Sequence, residues 1–246
     1  CTSMVTTFDL DGQLFMALNG GPHFTPNPSI SFYVVFSDQD ELTRIWDVLI
    51  DGGKTLIKLD KYDWSEQYGW LQDRYNINWQ FTLGDSAEVG QTVVPMMMFC
   101  GNSQNKAKPA MDFYTHLFPN SETVSEARYA HGQAQVDATI VHARMRLNGN
   151  LIMAMDSGVK QPFNFNEGVS FVIDCDTQDE IDYYWNKFTE KGEESMCGWC
   201  KDQFGVSWQI VPRILGALMT DPDKAPRVAK ELFKMKKLDI DKLKSA

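Results

Sequence analysis

The string Cys197-Gly198-Trp199-Cys200 has the C-x-x-C spacing of redox-active and zinc-binding cysteine pairs. A redox pair needs its first cysteine at the N-terminus of a helix, which lowers the pKa of the thiol. The residues around this pair instead have a strand and turn pattern. A zinc site of this kind needs a second C-x-x-C pair, and the sequence contains none. We therefore predict a structural role for both cysteines.

Histidine spacing offers no metal centre of a common type. The four histidines, His23, His116, His131 and His142, show neither H-x-H nor H-x-x-x-H spacing. A divalent ion needs several nitrogen or oxygen ligands that converge on one point. These imidazoles are not predicted to converge.

A glycine pair follows the first predicted strands, in Asn19-Gly20-Gly21, and Pro22 comes next. A loop that holds a nucleotide-like methyl donor joins a strand to a helix N-terminus. An Asn-Gly-Gly string followed by proline is typical of a tight turn instead. The sequence therefore gives no support for methyl-donor binding at this loop.

The chain is acidic, with 23 Lys and Arg against 33 Asp and Glu among 246 residues and a net charge of -10. This charge repels phosphate backbones and anionic membranes, so we expect no nucleic-acid or membrane partner. The longest apolar run, residues 93–100, is far shorter than the ~20 residues of a membrane helix, and no charged-then-apolar leader opens the chain. Five cysteines are an odd, sparse set that favours reduced thiols and a cytoplasmic location.

The chain contains an internal repeat of three blocks in the same order. Residues 14–21 match 151–158, residues 31–46 match 170–185, and residues 69–81 match 198–210. The first copy has a ten-residue insertion at 59–68. Two homologous domains are therefore predicted, a partial one at 1–90 and a complete one at 91–246, with a linker near residues 84–91.

Each domain alternates strands and helices. Apolar and β-branched runs predict strands, and helices follow the central strand of each copy. Asp38 is the predicted N-cap of the first helix, and Thr177 with Glu180 has capping-box spacing before the second. Asp73 and Asp202 follow the repeated Gly-Trp pair, and we expect their carboxylates to brace a turn. A further helix is predicted near residues 106–118. The predicted strands are near residues 15–18, 30–36, 79–83, 95–100, 122–129, 139–147, 151–155, 169–175 and 207–211.

These blocks resemble the PhnB-like branch of the vicinal-oxygen-chelate superfamily, which includes glyoxalase, bleomycin-resistance proteins and extradiol dioxygenases. The strings that carry the resemblance are NGGPHF, SFYVVFSDQDEL, CGWCKDQFGVSWQIVPR and MTDPDKAPRVAKELFKMKKLDIDKL. Members are often labelled 3-demethylubiquinone-9 3-methyltransferase. The resemblance implies an α+β fold of tandem glyoxalase/bleomycin-resistance-like units built from paired βαβββ modules, and the first unit here is incomplete.

The first domain lacks its opening half, because only residues 5–10 precede its first matched block. Its sheet is expected to keep an unpaired edge, which favours association with another strand. We therefore expect that another chain, or residues outside this sequence, completes the first domain. A homodimer is the expected assembly.

The resemblance also implies where a metal would be bound. The last metal ligand of the family is a glutamate on the final strand, and the positions that align with it are Gln209 and Gln80. A histidine often begins the second module, where this chain has Ser170 and Ser31. We therefore expect no metal cofactor. The alternative is a metal-dependent lyase, isomerase or dioxygenase that binds Mg or Mn through atypical ligands such as Asp156 and Gln209.

The first functional hypothesis is that a cleft of this fold binds a small, partly apolar molecule, with or without catalysis. The repeated tryptophan pairs, Trp70 with Trp79 and Trp199 with Trp208, allow two interpretations: one indole of each pair lines that cleft, or the indoles pack between sheets. A third hypothesis is a purely structural dimerisation scaffold. The residues predicted to line the cleft are Met97, Phe99, Met153, Met155, Asp156, Ser170, Trp199, Trp208 and Gln209.

The C-terminal segment has a distinct composition. Residues 223–246 carry eight Lys or Arg and four Asp or Glu, and Val228, Leu232 and Met235 form one helical stripe. A membrane-binding helix would carry a Trp- or Phe-rich face, and this segment has none. We predict that it docks on its own domain or on a partner subunit.

Overall fold

The computed structural model describes residues 4–246, except for the side chains of residues 86 and 88. It divides into two compact units, Cys1–Gly168 (unit 1) and Val169–Ala246 (unit 2). No helix among the described residues is long and apolar enough to cross a membrane.

Unit 1 contains ten strands and three α-helices within the described residues. Their bounds are β1 Val5–Leu10, β2 Gln13–Leu18, β3 Ile30–Phe36, α1 Gln39–Ile50, β4 Lys54–Tyr62, β5 Ser65–Gln72, β6 Asn78–Leu83, α2 Ser86–Val89, β7 Val93–Phe99, α3 Ala107–Leu117, β8 Glu122–Arg128, β9 Ile140–Leu147 and β10 Asn150–Asp156.

Unit 2 contains a four-stranded sheet and four helices. Their bounds are β11 Phe171–Cys175, α4 Gln178–Thr189, β12 Glu193–Glu194, β13 Trp199–Lys201, β14 Ser207–Pro212, α5 Leu215–Thr220, α6 Ala225–Leu232 and α7 Ile240–Ser245.

Three segments have the same strand-helix-strand-strand-strand order. Module A runs from β3 to β6, module B from β7 to β10 and module C from β11 to β14. In each module the first strand is parallel to the last, and the other two strands follow antiparallel outside it. The expected α+β class and its βαβββ modules are therefore confirmed.

Modules A and B form one eight-stranded sheet, in the order β4-β5-β6-β3-β7-β10-β9-β8. Their first strands pair antiparallel, with Ile30 opposite Met97 and Val34 opposite Val93. The expectation that another chain or absent residues would cover the edge of β3 is corrected by this pairing. All seven residues of β7 are buried, so this strand covers the edge within the same chain.

The compact units and the predicted domains divide the chain at different places. The predicted domains, 1–90 and 91–246, follow the sequence repeat, whereas the boundary after Gly168 follows contacts in the folded chain. What precedes module A is a two-stranded sheet, β1 with β2.

The helices begin where the sequence predicts. The side chain of Asp38 accepts a hydrogen bond from the backbone N–H of Glu41, and Thr177 and Glu180 form the predicted capping box. In module A, Leu42 and Trp46 of α1 pack on the sheet. A Cβ atom at Gly69 would lie 2.6 Å from the Trp46 ring, which explains a glycine before the tryptophan in this block.

The C-terminal segment packs on its own unit, which is one of the two predicted docking sites, the other being a partner subunit. Val228, Met235 and Leu243 are buried together in one cluster, and Val211 of β14 packs against it. The backbone N–H of Cys197 also donates to the carbonyl of Met235 over 2.7 Å. The tail is therefore part of the core of unit 2.

Candidate functional site

The two faces of the unit 1 sheet have different roles. Val34 and Phe81 cluster with Trp46 of α1, so their face is the helix face of the sheet. Neighbouring residues along a strand point to opposite faces. Gln80 therefore lies on the other face, together with Trp70, which is directly opposite it on β5. We call this surface the Gln80 face.

Gln80 is held by three hydrogen-bond partners. Its Oε1 accepts from the hydroxyl of Tyr68 at 2.6 Å, and its Nε2 donates to Ser31 Oγ at 2.8 Å and faces Met96 Sδ at 3.1 Å. The side chain is only 2% exposed. The amide is therefore fixed in one orientation in the middle of the face.

Two buried polar atoms on the Gln80 face have no hydrogen-bond partner among the described residues. They are Nε1 of Trp70 and Oδ1 of Asn78. Asn78 lies two residues before Gln80 on β6, so it shares the face, and the two side chains are 7% and 1% exposed. Buried polar groups without partners are rare in native proteins. One donor and one acceptor are therefore available here to a molecule that enters the face.

Thioethers line the part of this face that module B contributes. Met96 and Met153 are buried in one cluster, and Tyr33 and Met155 pack against it. Methionine side chains are flexible and polarisable, so they adapt to apolar ligands of different shape. This part of the face suits the apolar body of a small molecule.

Side chains of two separated strands meet over the Gln80 face. The rings of Tyr33 on β3 and His142 on β9 lie 6.4 Å apart, although two strands separate β3 from β9. In a flat sheet these strands would be about 14 Å apart. The two rings therefore reach toward each other over the strands that lie between them.

The ten-residue insertion of module A adds an aromatic group beside Gln80. Tyr62 stacks on Trp64 with ring centroids 4.9 Å apart, and both rings contact Tyr68 edge-on at 6.0 and 6.1 Å. Trp64 is 69% exposed. Its ring is an aromatic surface that remains open to a ligand.

The tyrosines and the histidine near the centre of this face are neutral at pH 7. Burial raises the pKa values of Tyr33 and Tyr68, so both hydroxyls keep their protons. Burial, and to a lesser extent the charge of Arg144, lowers the pKa of His142 to about 4. The imidazole is therefore uncharged, and the guanidinium of Arg144 is the charged group beside it.

The predicted cleft residues of unit 1 divide between the two faces. Met153 and Met155 lie on the Gln80 face. Met97 and Phe99 alternate with Met96 and point to the helix face, where the ring of Phe99 packs on Phe165 at 5.1 Å. Their predicted place in the cleft is corrected, because alternation along β7 puts Met97 and Phe99 on the face opposite Met96.

Asp156 also lies away from the Gln80 face. Its Oδ1 accepts from the backbone N–H of Ala107 at 2.9 Å, and its Oδ2 accepts from Thr139 and Ile140 at 3.1 and 2.9 Å. The side chain is fully buried. This carboxylate joins the start of α3 to β9, so its geometry favours a structural role over the expected role in binding.

Unit 2 repeats the central pair of the Gln80 face. Gln209 Nε2 donates to Ser170 Oγ at 2.9 Å, and Trp199 lies directly opposite Gln209, as Trp70 does for Gln80. All three of these residues are half-buried. They form a second, more open version of the same arrangement.

Trp208 lies on the helix face of module C, which corrects its predicted place in the cleft. Its ring stacks on Phe188 of α4 with centroids 4.7 Å apart, and its Nε1 donates to Asp202 Oδ2 at 2.9 Å. Asp202 also accepts from two backbone N–H groups, and Asp73 makes the same contacts in module A. The predicted bracing role of both aspartates is confirmed.

Comparisons with known proteins agree with this fold. Residues 1–82 and 91–211 match the model of the family described as 3-demethylubiquinone-9 3-methyltransferase. The chain belongs to this family. One matched segment lies in each of the two predicted domains. Among curated proteins, none matches the chain.

Several solved structures are similar to this chain. A PhnB protein from Bacillus cereus is 36% identical over 48% of this chain and 95% of its own, with a TM-score of 0.44. Two glyoxalase I mutants from Zea mays are 11% and 10% identical, with TM-scores of 0.52 and 0.53. They cover 89% and 81% of this chain and 76% and 73% of their own. At this identity they show the glyoxalase fold alone.

The residues of this chain at the expected metal positions, Gln80 and Gln209 with Ser31 and Ser170, do not fit a divalent ion. Divalent cations favour carboxylate, imidazole or carbonyl ligands. Gln80 directs its amide NH2 group, not its oxygen, toward Ser31 and Met96. Among the described residues, no three His, Cys, Asp or Glu side chains are grouped to hold an ion.

The cysteine pair and the glycine loop also have structural surroundings. Burial raises the pKa of Cys197, and burial with the nearby Asp202 raises the pKa of Cys200 to about 12, so neither thiol is activated. Asn19-Gly20-Gly21 leads from β2 to β3 without an intervening helix. The loop therefore has no helix N-terminus to hold a phosphate.

Sequence reasoning did not assign Tyr33, Tyr68 or Arg144 to this site. The alternation of β3 places Tyr33 two residues after Ser31, and the pairing of β5 with β6 brings Tyr68 near Gln80. A signal for Arg144 exists in the string His-Ala-Arg-Met-Arg, which alternates polar and apolar residues along β9. The alternation of side chains along each strand narrows the candidates to every second residue. The pairing register is needed to decide which of them share the face of Gln80.

Proposed function

We propose that this protein binds a small, partly apolar molecule on the Gln80 face, and that it does so without a divalent metal. The observation that carries this proposal is the pair of buried, unpartnered polar atoms, Trp70 Nε1 and Asn78 Oδ1. They lie beside an amide that is held in place. A donor and an acceptor buried without partners are costly to the free protein, and a ligand that pairs with both would remove that cost.

Three features define the ligand. A hydrogen-bonding group would contact Trp70 and Asn78, and an apolar body would lie on Met153 and Met155. An aromatic or flat portion would stack on the exposed ring of Trp64. Because the acidic chain disfavours polyanions, we propose a metabolite-sized molecule in the cytoplasm, the compartment that the four unpaired thiols among the described residues support.

The family description names a methyltransferase, and this name does not enter the proposal. A methyl donor of nucleotide type would need a loop at a helix N-terminus, which the loop after β2 lacks. Whether the bound molecule also reacts is left to assay of the ligands that bind. The proposal concerns binding alone.

A fragment screen tests the proposal. Wild-type protein and the variants Trp70→Phe and Asn78→Leu would be screened by ligand-observed NMR against a few hundred neutral, water-soluble fragments, with Trp199→Phe as the matched control on module C. We expect hits for the wild type that lose affinity in both unit 1 variants and keep it in the control. Trp70→Phe removes the ring N–H donor and keeps a smaller aromatic ring.

Two results would contradict the proposal. One is an absence of hits from folded wild-type protein, which would favour the scaffold hypothesis. The other is a set of hits that require added Mg or Mn, which would revive the metal-dependent alternative. Folding of each variant would be checked by its circular dichroism spectrum and its melting temperature.

We also propose that the chain forms a homodimer through the outer edge of β11. Modules A and B meet through their first strands, whereas β11, the first strand of module C, pairs only with β14 among the described residues. An antiparallel pair of identical strands is compatible with a two-fold axis. A second copy of module C would therefore repeat the arrangement that joins A to B.

Sedimentation would test the dimer. Val172→Lys places a charge on the edge strand, which opposes pairing, and Val48→Lys on the exposed side of α1 is the control with the same chemical change. We expect a dimer for the wild type and for Val48→Lys, and a monomer for Val172→Lys. A monomeric wild type at all concentrations would refute the dimer and leave the binding proposal intact.

A further inference from the structure

An arginine without a charged partner lies on the Gln80 face. Arg144 is on β9, and its direct neighbours across the sheet are Met153 and Ser125. It is half-buried, and among the described residues its guanidinium has no hydrogen bond and no ion pair. By contrast, Arg146 donates to the carbonyl of Gly149, and Arg128 pairs with Glu126 at 2.6 Å.

Two neutral side chains lie near Arg144. Burial is the main cause of the raised pKa of Tyr33 and the lowered pKa of His142, and the charge of Arg144 acts on both groups, so these two side chains lie near the guanidinium. Both are neutral at pH 7. Met153 lies directly opposite Arg144 and belongs to an apolar cluster that Met155 packs against. Arg146 is the next residue of β9 on this face, and Glu122 of β8 lies directly opposite Arg146.

An uncompensated, half-buried cation is unusual in this protein. The chain carries ten more negative than positive charges, so carboxylates for pairing are abundant elsewhere on the surface. Partial burial removes water from a charge, and that cost is recovered when an anion binds. A guanidinium also presents a planar set of donors that matches a carboxylate in two parallel hydrogen bonds.

We infer that the Gln80 face takes a small organic carboxylate, with the carboxylate held by Arg144 and the apolar body lying on Met153, Met155 and the ring of Tyr33. This inference rests on the proposed binding function and adds the chemical class of the ligand. The neutral side chains around the guanidinium favour one anionic group on an apolar body over a free phosphate. Phosphate carries more charge and more acceptors than one arginine and an apolar wall can satisfy.

Three probes test the inference on the full chain. Benzoate has the charge and an aromatic body, benzamide has the same shape without the charge, and inorganic phosphate has the charge without the apolar body. Binding would be measured by titration with NMR detection for the wild type, Arg144→Gln and, as a control for the loss of one positive charge elsewhere, Arg128→Gln. We expect the wild type to bind benzoate about tenfold or more tightly than benzamide or phosphate.

The variants separate binding from a structural role. Arg144→Gln should lower benzoate affinity about tenfold and leave benzamide affinity unchanged, whereas Arg128→Gln should change neither. If Arg144 stabilised the fold, its replacement would lower the melting temperature. We expect the melting temperature to stay the same or rise, because an unpaired charge is removed.

A second measurement does not depend on affinity. The pKa of His142, followed through its ring proton signals, should rise in Arg144→Gln, because the nearby positive charge is lost. It should also rise when benzoate binds the wild type, because the carboxylate offsets that charge. A His142 pKa that stays unchanged with saturating benzoate would place the carboxylate elsewhere and overturn the inference.

The outcomes distinguish this inference from the proposed function. If neutral fragments bind the Gln80 face and benzoate gains nothing from Arg144, the binding function stands and the carboxylate inference is wrong. If phosphate binds as tightly as benzoate, the site is selective for charge alone and the inference is again wrong. If no probe or fragment binds folded protein, both proposals are refuted.

Discussion

Modules A and C contain the same serine-glutamine pair, and they bury it to different extents. Ser31 and Gln80 are 0% and 2% exposed, whereas Ser170 and Gln209 are both half-buried. The hydrogen bond inside each pair is nearly identical, at 2.8 and 2.9 Å. The pair itself therefore does not determine whether a closed site forms around it.

The surroundings of the two pairs account for the difference. Gln80 has an additional partner in Tyr68, and the repeat aligns Tyr68 with Cys197 in module C. Strands β4 and β5 have nine and eight residues, whereas β12 and β13 have two and three. Module A is also joined to module B through β3, whereas β11 has one strand partner.

The same βαβββ module therefore surrounds its glutamine differently in modules A and C. A longer hairpin and a partner module enclose the glutamine of module A and surround it with aromatic and thioether side chains. The same amide in module C stays accessible on a short sheet. This difference supports the proposal that binding takes place on the Gln80 face, with the Gln209 pair as the shared structural element of the repeat.

Replacing the turn-bracing residues Asp73 and Asp202 should cause the largest losses of unfolding free energy, and the losses should be equal in modules A and C. Replacing Asp73 or Asp202 by alanine removes three hydrogen bonds to a buried carboxylate in each case. We expect each variant to lose about 3 kcal/mol of unfolding free energy, measured in urea. Asparagine at either position keeps an acceptor oxygen and should cost less. A much larger loss in one module would break the equivalence of the two turns.

Acid should destabilise unit 1 more than unit 2. His142 has a pKa of about 4 in the folded protein, below its usual 6.5, so the unfolded chain takes up the proton first as pH falls. Stability present above pH 6.5 is then lost between 6.5 and 4, by up to roughly 3 kcal/mol. Unit 2 contains no histidine.

Hydrogen exchange would locate the effect of acid. After correction for intrinsic exchange rates, amide protection should fall between pH 6.5 and 4.5 in unit 1 and remain in unit 2. His142→Gln should remove much of this pH dependence, and the exposed His131→Gln should leave it in place. Equal loss of protection in both units would refute the assignment to His142.

The two glutamines should differ in their contribution to stability. Gln80→Ala leaves the buried hydroxyl of Tyr68 without a partner, so we expect a loss of about 2 kcal/mol, against less than about 0.5 kcal/mol for the half-buried Gln209→Ala. Urea unfolding measures both. Tyr68→Phe combined with Gln80→Leu removes both polar groups and should recover part of the loss. Equal costs for the two alanine variants would contradict the difference in burial.

The smallest effect is expected for the reactivity of Cys197 and Cys200 in module C, where Cys197 occupies the position of Tyr68 in module A. Burial raises the pKa values of Cys197 and Cys200, so the thiolate fraction at pH 7 should be below that of a free cysteine. Iodoacetamide labelling followed by mass spectrometry should be slower than labelling of a peptide thiol. Faster labelling at pH 7 would show an activated thiol and reopen the redox hypothesis.

Local structure could be predicted well from the sequence. The caps at Asp38 and Thr177 and the bracing of turns by Asp73 and Asp202 depend on residues a few positions apart, and the structure contains each of them. The repeat also predicted the βαβββ order. These features depend on short-range rules, which sequence alone carries.

Register and long-range pairing were harder to predict. The placement of Met97 and Phe99 in the cleft failed because a shift of one residue moves every side chain of a strand to the other face. The open edge of β3 was expected because the sequence could not reveal that β7 would pair with it. Asp156 was expected in the cleft, although its partners come from α3 and β9, which are distant in sequence.

The tryptophan indole signals give the most direct test of binding on the Gln80 face. The chain has seven tryptophans, so protein with nitrogen-15 in its indoles gives seven signals that single Trp→Phe variants can assign. On addition of fragment hits or benzoate, we predict that the Trp70 signal shifts to saturation, while Trp79 and Trp208, which are bonded to aspartates, keep their positions. A saturable shift of Trp199 without one of Trp70 would place binding on module C and contradict this account.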